Sequence, residues 1–445
     1  MRRSIIGMAR SKLALSLLAG GSLLAFASAA QAQAPAAPAP GPDQPAPAVP
    51  AAATDKPWAP PANFGDWASS IKLSFEGDGG ITVDTDQPRN HRNFGQLFND
   101  NSDRPILNQL DMMVERDVDP KSTGIDVGFK LWLMYGSDAR ITHTLGVFDQ
   151  LIHDRNQLDV TEADISVRFP NIWANGLDLK VGIFPSPQGI EVIDPKGNAF
   201  YSHSYTFQYG LPFKNTGVLT TSHVSDLLDV YLGVDTGNDT FVAYGAGDNN
   251  NRPGGYVGFG LNFLGGNLTV LALSHMGPED SKHLVPFANS AMRFYNDVDV
   301  VWKANDKLTL SGELNYIRED GYRAEGYGAV GYVGYALTDQ ITLNGRAEIW
   351  RDNNNFFVST PASYLDFVAS ERGTPANLIT ASKPTTYSEF TAGITYKIPG
   401  LPSSLSTAMI RPEVRWDRAL NDSTPYGNGN HKQTFLLATD LVLGF

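Results

Sequence analysis

From Ile71 to Phe445 the chain is written in period two. Sixteen segments alternate β-branched or aromatic residues with polar ones and are separated by Gly, Asn, Asp and Pro. They cover approximately 71–83, 106–118, 122–137, 156–169, 176–185, 215–225, 227–237, 255–264, 266–276, 291–303, 307–318, 324–337, 340–351, 385–398, 404–418 and 431–445. In 122–137, Ile125, Val127, Phe129, Leu131, Leu133 and Tyr135 share one face of an extended strand, and Asp126, Gly128 and Lys130 share the other. In 404–418, Ile410, Pro412, Val414 and Trp416 oppose Arg411, Glu413, Arg415 and Asp417. Alternation alone does not say whether the apolar face meets lipid or a protein core.

The connections decide between those cases. Short ones at 119–121, 170–175, 225–227, 264–267, 304–307, 337–340 and 399–403 alternate with long ones at 84–105, 138–155, 186–214, 238–254, 277–290, 352–384 and 419–430. The connection 319–323 is short although it falls on the long side. Short turns on one rim and long loops on the other belong to a transmembrane barrel, and each segment has the roughly 9–11 residues a tilted crossing needs. The expected fold is all-β: one antiparallel, up-and-down transmembrane β-barrel of sixteen strands, wide enough for an aqueous lumen. Tyr135, Phe184, Trp302, Tyr335, Trp350, Tyr396 and Trp416, near strand ends, are candidates for interface girdles.

The N-terminus supplies the route of export. Arg2, Arg3, Arg10 and Lys12 precede a short apolar run, Leu13 to Phe26, and Ala30-Gln31-Ala32 has the form of a cleavage site. The expected organisation is a signal peptide at 1–32, a Pro/Ala-rich periplasmic spacer at 33–70 and an outer-membrane barrel at 71–445 of a Gram-negative bacterium. Residues 33–61 hold ten Pro and ten Ala, which suit an extended spacer and no packed core. Removing residues 1–32 takes away four basic groups and no acidic ones, so the formal charge moves from −13 to −17. So acidic a chain is a poor nucleic-acid partner. The absence of Cys rules out disulfides, thiolate metal sites and thiol nucleophiles.

No motif points to catalysis or to a cofactor. Gly326-Tyr-Gly-Ala-Val-Gly331 spells G-x-G-x-x-G but lies inside an alternating strand with no helix behind it, the wrong setting for a dinucleotide site. Its glycines are expected to relieve crowding on a curved wall. The eight histidines (His91, His143, His153, His203, His223, His275, His283 and His431) give no metal spacing. Asp248-Asn-Asn-Asn251 and Asp352-Asn-Asn-Asn355 lack EF-hand spacing and read as polar loops. The segment 186–214 differs from the other loops. It is rich in aromatic and apolar groups, which free solvation disfavours, and is expected to fold into the barrel and narrow it.

The last eleven residues place Phe435, Leu437, Thr439, Leu441, Leu443 and Phe445 on one face. This ending resembles the closing strand of bacterial outer-membrane barrels, whose terminal aromatic residue is read by the barrel-assembly machinery. A wider resemblance rests on Asn108-Gln109-Leu110 with Glu115-Arg116, Asp126-Val-Gly-Phe129, Tyr135-Gly-Ser-Asp-Ala139, Lys180-Val-Gly-Ile-Phe184, Gly189-Ile-Glu191, Tyr201-Ser-His-Ser-Tyr205 and Thr216-Gly-Val-Leu219. These blocks resemble the OmpL-like family of β-barrel porins over essentially all of 71–445, leaving out the spacer. The resemblance implies a passive outer-membrane channel for small hydrophilic solutes, without catalytic residues. Outer-membrane lipid is then the surrounding partner, and homo-oligomerisation is left open.

Candidate lining residues follow from hydrophilic parity: Lys130, Arg168, Lys180, Arg346, Arg411 and Arg415, with Asp126, Asp164, Asp297, Asp299, Glu313, Glu389 and Glu413. Glu191 and Asp194 of the long loop are expected to face arginines across a narrowed lumen. Two other readings compete: a structural or adhesive barrel with a plugged lumen, and a lipid-modifying barrel enzyme. The latter needs a nucleophile–base pair that the sequence does not display.

Overall fold

The computed structural model of the protein describes residues 64–151, 154–241, 250–282, 285, 287 and 290–445. The expected signal peptide, most of the spacer, His153, His283, Asp248 and Asn249 lie outside the described residues. Where description begins, a short helix, Phe64–Ser69, sits against the barrel. Its Trp67 indole N–H donates to the Val127 carbonyl at 2.9 Å, and the Arg116 guanidinium lies 5.2 Å from the Trp67 ring.

Sixteen antiparallel strands follow: β1 (Lys72–Asp84), β2 (Arg104–Arg116), β3 (Asp126–Gly136), β4 (Gln157–Phe169), β5 (Leu177–Pro185), β6 (Lys214–His223), β7 (Leu228–Asn238), β8 (Gly255–Phe263), β9 (Leu268–Gly277), β10 (Arg293–Lys303), β11 (Leu308–Glu319), β12 (Ala324–Ala336), β13 (Ile341–Asp352), β14 (Thr385–Lys397), β15 (Thr407–Ile410 and Glu413–Ala419) and β16 (Gln433–Gly444). Each pairs with its neighbours in sequence, and β1 pairs with β16 from Glu76↔Gly444 to Asp84↔Leu436. The sheet therefore closes and leaves no free edge. The interruption in β15 falls at Arg411-Pro412, where proline has no N–H for the ladder. A two-stranded ribbon, Ser359–Pro361 with Leu378–Thr380, stands in the loop after β13.

The sixteen expected segments match these strands to within a few residues, and the long and short connections fall as expected, including the short 320–323. Side-chain parity holds as well. Leu73, Leu131, Leu232, Leu314, Val414 and Leu437 point outward and are exposed, whereas Asp126, Asp164, Glu313, Arg346, Glu389, Arg415 and Asp440 point inward and are buried. That is the arrangement a bilayer imposes, because every backbone polar group is paired within the closed sheet and the outer surface is apolar. No helix among the described residues is long and apolar enough to cross a membrane.

Two girdle candidates are corrected. Phe184 and Trp350 are 1% and 0% exposed and face the interior, because they share parity with Lys180 and Arg346. Tyr135, Trp302, Tyr335 and Tyr396 do face outward. Gly326 and Gly328 make room for the buried Trp350: a β-carbon on either would fall about 2.5 Å or less from its ring. Gly331 has no such neighbour. The interior also departs from a purely aqueous lumen. Phe94, Leu97 and Phe98 of the first long loop join Trp132, Met134, Tyr205, Phe207, Trp350 and Tyr387 in one apolar cluster inside the wall. Inward aromatic residues toward the long-loop ends of the strands supply its rim side.

Candidate functional site: the loop across the barrel interior

The connection between β5 and β6, residues 186–213, does not lie on the rim. Phe200, Tyr201, Tyr205, Phe207, Leu211 and Phe213 are all buried, so the apolar groups that set this loop apart in the sequence are what hold it inside. An irregular backbone inside a barrel must find partners for its N–H and C=O groups. Here the charged wall provides them.

Wall carboxylates take the loop's N–H groups. Asp299 accepts from Gly189 N at 3.2 Å and Glu313 from Ile190 N at 3.3 Å. Glu413 accepts from Tyr201 N at 2.8 Å and Ser202 N at 3.2 Å, and Glu348 from Tyr205 N at 2.7 Å and Thr206 N at 2.8 Å. Wall donors take the carbonyls. Arg411 donates to Pro195 O and Asn198 O, both at 2.7 Å, Arg346 to Ser202 O at 2.7 Å and Arg415 to His203 O at 2.6 Å. Gln109, Asn344 and Asn315 complete the set on Ile193 O, Ala199 O and Gly210 O. The loop is thus bonded to β8 through β13, to β15, and on to β1 and β2.

One ion pair joins loop and wall at the centre. Arg346 Nη1 meets Glu191 Oε1 at 2.7 Å, and its Nε meets Glu389 at 3.1 Å. Glu191 also accepts from Ser204 N at 3.0 Å and Tyr332 Oη at 3.2 Å and lies 2.9 Å from His203 Nδ1. Burial pushes the Glu191 carboxyl up. The Arg346 guanidinium, His203 and the Ser204 N–H more than offset that and hold it at about 2.

The candidate residues fall into two groups. Arg346, Arg411, Arg415, Glu413 and Glu191 are buried and belong to the loop's anchorage; Arg411 pairs with Asp440, and Arg415 with Asp417 at 2.8 Å. Lys130 and Lys180 stand on β3 and β5 with side chains 29% and 36% exposed. Lys130 lies 3.4 Å from both Glu115 and Glu162, and Lys180 lies 2.7 Å from Glu162 and 3.6 Å from Asp164. The loop makes no hydrogen bond to β3, β4 or β5 among the described residues, so these groups line the wall it leaves free. Arg168 is apart, near the short-turn end, bonded to Asp178 at 2.8 Å and Asn175 O at 2.6 Å. Of the two loop acids, Glu191 meets an arginine. Asp194 does not: it caps a turn by accepting from Lys196 N at 2.9 Å, and Lys196 reaches Glu76.

Sequence parity missed the uncharged anchors Gln109, Asn315 and Asn344. It also passed over Gly80, where a β-carbon would fall 2.6 Å from the Tyr201 ring. Their common signal was inward parity, which dozens of residues share.

Comparison with known proteins agrees with this geometry. No curated protein matches the chain. Among solved structures, Pseudomonas putida OprB is similar over 85% of this chain and 95% of its own, at 11% identity and a TM-score of 0.50. Salmonella typhi OmpF, in complex with daunomycin, is similar over 84% and 97%, at 10% identity and a TM-score of 0.50. At such identities the likeness shows the fold. The family model described as "Putative beta-barrel porin-2, OmpL-like" matches residues 71–445, and the chain belongs to that family of porins of the Gram-negative outer membrane.

Proposed function

We propose that this barrel is a passive channel for small hydrophilic solutes, that the loop 186–213 is its constriction, and that solutes pass along the wall formed by β3, β4 and β5. The observation that carries this reading is the uneven use of the wall. Anchoring the loop engages the arginines and carboxylates of β10 to β16, whereas Lys130, Lys180 and Glu115 stay partly exposed on the opposite side, paired there with the buried Glu162 and Asp164. A path lined by both signs of charge favours dipolar and ionic solutes over apolar ones, as charged rings do in other pores. Liposome swelling with sugars, amino acids and small anions tests it. Uptake that falls with solute size and rises when the loop is shortened supports the reading; impermeable liposomes containing correctly folded protein refute it.

A second reading has its own support. The apolar cluster inside the barrel is the packing expected of a plug, which would make the barrel structural or adhesive. Planar-bilayer recording separates the two, because a plugged barrel gives no unitary conductance steps.

A further inference from the structure

A second charged cluster lies away from the interior loop's anchorage, at the long-loop end. Asp100, of the loop after β1, is completely buried and faces three guanidinium groups: it accepts from Arg92 Nη1 at 2.6 Å and from Arg155 Nη2, and forms an ion pair with Arg140 Nη2 at 3.0 Å. Tyr364, from the loop after β13, lies against two of them, with the Arg92 and Arg155 guanidinium carbons 4.9 and 5.2 Å from its ring centre.

Hydrogen bonding in this cluster is incomplete. Arg92 is met further by Asn101 Oδ1 at 3.0 Å and Ala362 O at 3.3 Å. Arg140 is 0% exposed, and among the described residues its side chain hydrogen-bonds only to Leu97 O at 3.4 Å. Its Nε and Nη1 have no acceptor among the described residues, and neither do Nε and Nη1 of Arg155. Buried donors are normally satisfied, and one left without a partner bears its full desolvation cost.

Charge is incomplete too. Three cations surround one carboxylate, and an unpaired buried charge is strongly unfavourable. The other acid close to Arg140 is Asp138, which accepts from Asn108, Gln109 and Ser137 rather than from an arginine. Burial raises the Asp138 pKa, which further weakens it as a counter-charge. What the cluster lacks is acceptors and negative charge together. A small oxyanion supplies both, and guanidinium donors match its geometry. Access lies on the side of Arg155 and Arg92, whose side chains are 15% and 9% exposed under the Tyr364 ring.

We propose that Arg140 and Arg155, with Asp100 as their fixed neighbour and Tyr364 as cover, bind one small free oxyanion of the phosphate–sulfate class. The site is independent of the channel reading, since binding is measured without conductance. The test is calorimetric titration of the full chain, folded in phosphate-free detergent, with inorganic phosphate and with chloride at matched ionic strength. Saturable binding of one phosphate per chain is expected, weakened about tenfold or more in Arg140→Gln and in Arg155→Gln, since each removes charge-assisted hydrogen bonds. Lys432→Gln, which touches only the exposed Asp422, should bind as the parent does. Should Arg140→Gln fail to fold, Arg155→Gln carries the test from the edge of the cluster. A parallel titration with a water-soluble short-chain phosphatidate separates a lipid headgroup from a free ion. Binding of the phosphatidate alone overturns the proposal, as does an adventitious, non-saturable response to phosphate or an affinity unchanged from the parent in both arginine variants.

Discussion

Tyr201 of the interior loop packs on Gly80 of β1 so closely that a β-carbon there would fall 2.6 Å from the ring. The Tyr201 hydroxyl then reaches Asn108 on β2 at 3.0 Å. A residue without a side chain on the wall is thereby the seat for the loop.

Gly80→Val should therefore unseat the loop, and because its β-carbon also meets Thr439 O of β16 at 2.7 Å it should strain the β1–β16 seam too. Overpacking of this kind costs about 1–3 kcal/mol. The expected result is a larger unitary conductance in planar bilayers and a lower unfolding temperature, with the mobility difference between boiled and unboiled samples on a denaturing gel retained.

Arg346→Gln removes the cation between Glu191 and Glu389 and leaves two buried carboxylates without their shared counter-charge, a loss of about 3–5 kcal/mol. Thermal unfolding in detergent should shift downward, and Glu191→Gln introduced in the same chain should restore part of the loss. A double-mutant cycle gives the coupling.

Charge reversal should separate the two groups of basic residues. Lys180→Glu, on the accessible wall, should fold normally and move the reversal potential in a salt gradient toward cation selectivity. Arg415→Glu places a third acid beside Asp417 and Glu389 and removes the donor to His203 O. It should lower the amount of assembled barrel rather than tune selectivity.

Acid and base should act on different loops. Glu191 is held at about 2 against an ordinary 4.5, so its contribution to loop docking is full above about pH 4.5 and is lost as pH falls toward 2. Glu279 and Asp280, in the loop after β9, are both pushed up to about 7, mainly by burial. Their sign is opposite: that loop is held best below about pH 4 and loosens as pH rises through 7. Hydrogen exchange, corrected for its intrinsic rate, should show backbone protection near residues 279–281 falling between pH 5 and pH 9.

Strand number, closure and the inward set of residues were readable because parity is a local property: Arg411, Glu413 and Arg415 alternate with Ile410, Pro412 and Val414 whatever the depth of the strand. Parity gives direction and not neighbours. It set Arg411 and Arg415 facing acids of the long loop across a narrowed lumen, and it could not show that the backbone carbonyls of Pro195, Asn198 and His203 would occupy them. Phe184 and Trp350 were misplaced for the opposite reason: position near a strand end suggested girdles, against the parity they share with Lys180 and Arg346. The cluster around Asp100 was hidden more deeply, since Arg92, the pair Arg140 and Arg155, and Tyr364 come from three connections and meet only in three dimensions.

The partners of the interior loop imply an order of events during biogenesis. Tyr205 finds Glu348 across 143 residues, and Tyr201 finds Glu413 across 212. Lys196 needs Glu76 of the first strand, and Arg411 holds the loop while paired to Asp440 of the last. A chain with an open seam presents only part of this set, and distant contacts repay their closure entropy only when formed together. Docking of residues 186–213 is therefore a late step that follows cylinder closure. It acts as an internal latch across the seam, held to β1 by Lys196 on Glu76 and to β16 through Arg411 on Asp440.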